Sequence, residues 1–184
     1  MAGRTFAIGD IHGDIVALQT VLMRIPAIDD QDTIVFLGDY IDRGPRSKEV
    51  VETVREVQRR APAKIVTLRG NHEDGWLRVI NGGWPEFVLP PGNGCLAALR
   101  SFRGLPYRDG DLASRTELEE LRTGAFFPRD VVAWMNSLAF FYEDDHAIYV
   151  HAGLVQTQGT NADGSQGEPV WLHPKDSDNQ TMNL

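Results

Sequence analysis

Five residues with nitrogen or oxygen donors, Asp10, His12, Asp39, Asn71 and His151, stand where a metal centre would need them. Three apolar runs each end in glycine followed at once by a ligand-type side chain: Ile8-Gly9-Asp10, Leu37-Gly38-Asp39 and Arg69-Gly70-Asn71. A later run ends in Val150-His151. Any one of these alone reads more simply as a turn after a strand. At the carboxyl ends of strands in one parallel sheet, however, they would converge on a single crevice. Glycine before each ligand lets the chain turn sharply and lets backbone approach bound ions. A donor set of carboxylate, imidazole and carboxamide without thiols suits Mn2+, Fe or Zn2+ in a dinuclear site.

The elements that would position these groups follow from hydrophobic period. Phe6-Ala7-Ile8, Ile34-Val35-Phe36-Leu37 and Ile65-Val66-Thr67-Leu68 have strand length and β-branched or aromatic content. Between them lie helix-periodic segments, one with Leu18, Val21, Leu22 and Ile25 on its apolar face. The other carries Val50, Val51, Val54 and Val57, with Ser47 available as N-cap. The sequence therefore predicts an α/β fold beginning βαβαβ around a parallel sheet. Over 75–136 the pattern changes to helices joined by Gly- and Pro-rich links such as Leu89-Pro90-Pro91-Gly92. Ser114 and Glu117 have capping-box spacing, and Pro128 suits the first turn of a helix carrying Val131, Val132, Trp134 and Met135. This stretch reads as a helical insertion over one end of the sheet. Strands return at 139–142 and 147–150, and 156–184 reads as a polar tail interrupted only by Val170-Trp171-Leu172.

The chain of 184 residues fits one domain, and 42% hydrophobic with 24% charged residues is ordinary for a globular protein. A net charge of -8 argues against a nucleic-acid partner. No uncharged apolar stretch is long enough to span a bilayer and no signal-peptide core is visible, so neither a membrane partner nor export is expected. The lone Cys95 cannot form an internal disulfide and reads as a small hydrophobe, and a reducing cytoplasm is the default setting. His146 reads as solvated, and Trp76, Trp84, Phe87 and Trp134 as core.

Gly9-Asp10-Ile11-His12-Gly13, Gly38-Asp39-Tyr40-Ile41-Asp42-Arg43-Gly44, Gly70-Asn71-His72-Glu73 and His151-Ala152-Gly153 resemble, in order and spacing, the successive signatures of the phosphoprotein phosphatase family, especially its small bacterial and phage members. The resemblance covers 8–154. It implies a metallophosphoesterase sandwich of two mixed β-sheets flanked by helices, in α-β-β-α order. It also implies hydrolysis of phosphomonoesters, above all phosphoserine and phosphothreonine in proteins, by attack of a metal-bridging hydroxide. Two divalent ions, most naturally Mn2+ with Fe or Zn2+ as alternatives, would be held by Asp10 and His12, bridged by Asp39, and held on the second side by Asn71 and His151. His72 would be the general acid with Asp42 orienting it, and Arg43 would clamp phosphate oxygens, so that Arg43, Asn71 and His72 together contact substrate. Glu73 would start the following helix or support Arg43 or His72.

The sequence departs from that family after His151. Where a Trp-x-Arg segment would supply a second phosphate clamp stands Trp171-Leu172-His173, and no Gly-His-Thr segment follows. The chain thus reads as C-terminally truncated, with His173, a residue of a neighbouring subunit or water filling the gap. Uncovered strands favour self-association. Two rival functions share the motifs: a symmetrical dinucleoside tetraphosphate hydrolase, and a non-catalytic phosphate- or partner-binding module.

Overall fold

β-Branched runs alternating with amphipathic segments give β1 (Thr5–Ile8), α1 (Ile15–Arg24), β2 (Thr33–Phe36), α2 (Ser47–Arg60) and β3 (Lys64–Thr67) in the computed structural model, which describes residues 3–160 and 166–172. The three strands form one parallel sheet in the order β1-β2-β3, with Ala7 beside Val35 and Val35 beside Val66. β2 is central and every residue in it is buried, as a strand covered on both faces requires. α2 lays Val50, Val51 and Val54 into the core, burial worth about 1.5–3 kcal/mol for each side chain.

The N-terminus of α2 differs from expectation. Ser47 lies inside its first turn, and its Oγ accepts the Asp42 amide at 3.1 Å. The first-turn amide of Lys48 is instead taken by Ser101 Oγ at 2.9 Å, a cap contributed from elsewhere in the chain. α1 also departs from its predicted apolar face: Leu18 is buried, but Val21 faces solvent.

After β3 the chain enters α3 (Asn71–Ile80), two short 3-10 turns, α4 (Cys95–Arg103), α5 (Arg115–Leu121) and α6 (Arg129–Ser137). Ser101 thus belongs to α4. α5 has the reciprocal cap its sequence announces, with Glu117 N donating to Ser114 Oγ and Ser114 N donating to Glu117 Oε2. An aromatic cluster fills the space among these helices, where the Trp76 ring meets Phe126 and Phe127 edge-on at 5.0 and 5.1 Å. Trp76, Phe87 and Trp134 are core as expected, while Trp84 is half-buried.

Beyond α6, among the described residues, the parallel sheet gains only a bridge between Leu68 and Ala139. The remaining described strands are antiparallel hairpins, β4 (Phe141–Glu143) with β5 (Ile148–Val150) and β6 (Val155–Thr160) with β7 (Gln166–Leu172). The α/β class holds, with these hairpins in place of a continuous second sheet among the described residues. The Asp144 carboxylate shapes the first turn, accepting the His146 and Ala147 amides, and ties it to β1 by accepting from Thr5 Oγ1 at 2.8 Å. β6 and β7 correct the reading of 156–184 as a polar tail. Paired strands need backbone partners rather than apolar side chains, so a polar hairpin escapes a hydrophobicity reading. His173 lies outside the described residues.

Glycine is required where the loops after β2 and β3 meet. Gly38 has φ +114°, and a Cβ there would lie 2.5 Å from Gly70 N. A Cβ on Gly70 would overlap both the Asp39 amide and its Oδ1. The close approach is therefore between two protein loops, and at Gly9 no such constraint exists because a Cβ would meet nothing. Gly70→Ala should lower stability by about 3 kcal/mol, the upper range for overpacking. Urea unfolding checks this, and a midpoint equal to that of the parent chain refutes it.

Candidate metal centre and active site

The loops leaving β1 and β2 are stitched together by backbone. Ile11 N and His12 N both donate to the Asp39 carbonyl, at 3.0 and 2.9 Å, while Gly13 N donates to Tyr40 O and Gly44 N to His12 O. This stitching holds Asp10 and His12 against Asp39. It also strains the chain, because among the described residues His12, Asp39, Asp42 and Arg43 are the non-glycine positions with positive φ, at 46°, 54°, 69° and 63°. Such conformations cost on the order of 1–3 kcal/mol each and persist only where surroundings over-determine them, typically at functional sites.

Asp39 is the hub. Its Oδ1 accepts the His72 amide at 3.0 Å, and its Oδ2 faces His12 Nε2 and His151 Nε2, each at 3.4 Å. Asp10, half-exposed at the mouth, brings Oδ2 to 3.8 Å from His12 Nε2 and Oδ1 to 3.9 Å from His151 Nδ1. Asn71 Oδ1 lies 2.9 Å from His151 Nε2. The structure thus brings Asp10, His12, Asp39, Asn71 and His151 into one cluster, although β5, which delivers His151, belongs to a hairpin and not to the parallel sheet. Burial pushes the Asp39 carboxyl up, but His151 and His72 together outweigh it and leave Asp39 below the usual range.

The ring nitrogens reveal what the cluster is built to receive. His12 Nδ1 lies 3.0 Å from the Ile41 carbonyl and His151 Nδ1 lies 3.0 Å from the Leu37 carbonyl, so each must donate there. A neutral imidazole then presents its Nε2 lone pair inward. His12 Nε2 is buried with no hydrogen-bond partner, and His151 Nε2 faces two oxygens. Such a set of acceptors calls for a cation: a proton on His151 Nε2, whose ring burial would lower but Asp39 holds above its ordinary value, or a metal ion in the proton's place. Donors about 2.1 Å from a shared tetrahedral ion sit about 3.4 Å apart, the spacing of Asp39 Oδ2 from both Nε2 atoms. The residues present therefore fit divalent ions, and backbone carbonyls fix the imidazoles as outer-sphere partners of metal ligands do.

His72 also lies within reach of His12 and Asp39, yet both its nitrogens are engaged otherwise. Nδ1 donates to Asp42 Oδ2 at 2.7 Å, and Nε2 meets Arg43 Nη2 at 3.3 Å. Burial alone would lower the His72 pKa; the Asp42 carboxylate outweighs it and holds the ring above its ordinary value. Burial raises Asp42, which is fully enclosed and also receives the Trp76 indole. Arg43 is exposed at the rim, with its guanidinium against His72 Nε2. Cys95 is buried and burial pushes its thiol up, which removes it as a nucleophile. His146 is exposed.

Glu73 has a larger role than its sequence position indicates. It supports neither Arg43 nor His72. Its carboxylate accepts three backbone amides, those of Asp39 at 2.9 Å, Tyr40 at 2.9 Å and Gly70 at 3.0 Å. Burial, with the Asp39 carboxylate nearby, pushes it upward. The available sequence signal was an acidic residue three places after a glycine N-cap, the spacing at which a side chain reaches back to helix-end amides. Glu73→Gln puts an amide N–H against a backbone N–H. We expect a loss of about 2 kcal/mol in stability and of about 10–100-fold in metal affinity. Titration with Mn2+ followed by calorimetry checks it, and parent-like affinity refutes it.

An open cleft of about 1390 Å³ runs from Asp10 and His12 between α1 and α2, bordered by Arg46, Glu49, Glu52 and Glu56. No helix among the described residues is long and apolar enough to cross a membrane.

Comparison with known proteins agrees with this geometry. The calcineurin-like phosphoesterase family profile matches residues 3–176. The serine/threonine-protein phosphatase SIT4 of Candida albicans is 34% identical over 88 residues, 46% of this chain and 28% of that protein. Among solved structures, a candidate diadenosine tetraphosphatase superposes with a TM-score of 0.55 at 21% identity, over 91% of this chain and 57% of its own. A cold-active protein-tyrosine phosphatase of a psychrophilic Shewanella gives 0.50 at 20% identity, over 82% and 42%. At those identities the two structures speak for the fold alone. The chain spans from under a third to just over half the length of these relatives.

Proposed function

The chain belongs to the calcineurin-like phosphoesterase family, and from that premise we propose that it hydrolyses phosphomonoesters, with phosphoserine and phosphothreonine in proteins as its substrate class. The observation that carries this reading is the convergence of Asp10, His12, Asn71 and His151 around Asp39, with the His72–Asp42 pair beside them. Asp10, His12 and Asp39 would hold one divalent ion, and Asp39, Asn71 and His151 the other, with Mn2+ the leading choice and Fe or Zn2+ the alternatives. Two such ions, when bound, polarise a phosphoryl oxygen and lower the pKa of water from about 15.7 towards about 7.

The remaining steps fall to side chains. Arg43, exposed and planar, can turn from His72 to grip two phosphate oxygens. His72 Nε2 then faces the departing oxygen and delivers its proton there, while Asp42 keeps Nδ1 committed and the ring charged. Asp39, through Oδ1, fixes the His72 backbone and so registers the proton donor against the ligand cluster.

Support for a protein substrate comes from the stretch shared with a serine/threonine phosphatase and from the open cleft that leads away from Asp10 and His12 between α1 and α2. Chelator-treated chain should release no phosphate, and Mn2+ should restore release from a phosphoserine peptide with kcat/KM at least about 10-fold above that for a dinucleoside tetraphosphate. Faster cleavage of the tetraphosphate would move the activity to phosphoanhydrides. No release above buffer with Mn2+, Fe2+ or Zn2+ would leave a binding module.

A further inference from the structure

The Asp42 carboxylate has a second donor besides His72. Trp76 Nε1 lies 3.0 Å from Oδ1 and 2.9 Å from Oδ2, bridging both oxygens. His72 and Trp76 are four residues apart on α3, hence on one face of the helix. Asp42 comes to that face from the loop after β2, with its own amide held by Ser47 Oγ. The indole cannot drift. It is wholly buried, and Phe87, Phe126 and Phe127 meet it edge-on. Phe87 also meets the His72 ring edge-on at 5.6 Å.

A carboxylate held by one imidazole can still rotate about its terminal torsion, and the imidazole rotates with it. A bridging N–H removes that freedom by fixing the carboxylate plane, so that Oδ2 alone faces His72 Nδ1. We propose that Trp76 is a positioning residue for proton delivery, acting through Asp42 on the aim of His72 Nε2. This rests on the reading of His72 as the proton donor. Nothing about Trp76 touches phosphate or the ligand cluster, so its influence should follow the leaving group's need for a proton.

The test compares a phosphoserine peptide, whose alkoxide must be protonated, with 4-nitrophenyl phosphate, whose phenolate leaves without a proton, on Mn2+-loaded protein. Trp76→Phe keeps an aromatic ring and deletes the N–H. We expect kcat on the peptide to fall about 10-fold more than kcat on the aryl ester, with KM and metal content of the parent. In a His72→Asn background, Trp76→Phe should cause no further loss on the peptide, because a residue acting through His72 has nothing left to aim. Equal loss on both esters, no loss on either, or a further loss in that background would each overturn the proposal. Should Trp76→Phe fail to fold, benzothienylalanine at position 76 keeps the indole's shape without the N–H and gives the same readout. If His72→Asn itself turns over the peptide like the parent, the assignment of the proton donor fails, and this inference with it.

Discussion

Asp39→Asn should lose both metal ions and lower metal-dependent phosphate release by on the order of 10³-fold or more. The substitution is isosteric, so its effect is chemical, and either orientation of the new amide fails. Oδ1 accepts the His72 backbone N–H, while Oδ2 faces the Nε2 atoms of His12 and His151. If the amide nitrogen takes the first place, donor opposes donor at a buried contact. If it takes the second, the only group shared by the two ligand sets loses its lone pairs. A neutral amide also cannot offset the repulsion between two divalent ions. Lewis acidity is worth several kcal/mol, and each 1.36 kcal/mol is about tenfold in rate. Counting ions per chain by mass spectrometry, alongside the rate, decides the matter. Two ions retained with turnover within tenfold of the parent would defeat the assignment.

His72→Asn should have the next largest effect, about 10²–10⁴-fold in kcat on an alkyl phosphate, the usual contribution of a positioned acid. The expected signature is its dependence on the leaving group. A nitrophenolate departs unprotonated, so the loss on its ester should stay within about 10-fold. Metal content should remain that of the parent, since both ring nitrogens of His72 serve Asp42 and Arg43 rather than the ions. Identical losses on the two esters would show that His72 holds something other than the proton.

Much of the site could be read from sequence because its residues come in short runs anchored to strand ends. Asp10, Asp39 and Asn71 each follow a strand and a glycine, so the parallel topology brings them together once the short apolar runs are recognised as strands. The reason for those glycines was less accessible. Gly38 and Gly70 serve the contact of one loop with another, a pairing of distant segments that no local rule contains. Ser47 and Glu73 are only partly legible for the same cause. Both look like helix-end residues; Glu73 does take the Gly70 amide at the start of α3, but both spend oxygens on amides contributed by the loop after β2. The β6–β7 hairpin escaped notice because its strands are polar, and Val21, placed on the apolar face of α1, lies in solvent because helical period gives a face but not its width.

One turn of α3 carries Asn71, His72 and Glu73, so a ligand, an acid and a brace swing together. Helix α3 has 10 residues and acts as a lever about 15 Å long. A tilt of about 4° about its far end carries all three groups about 1 Å, a misplacement on the scale that costs about 10²-fold in rate. The fulcrum end, where Ile80 packs onto Gly124 with no space for a Cβ, lies at the opposite tip of the helix from the chemistry. Crowding at that contact would be felt by the reacting phosphate through the rigidity of the rod alone.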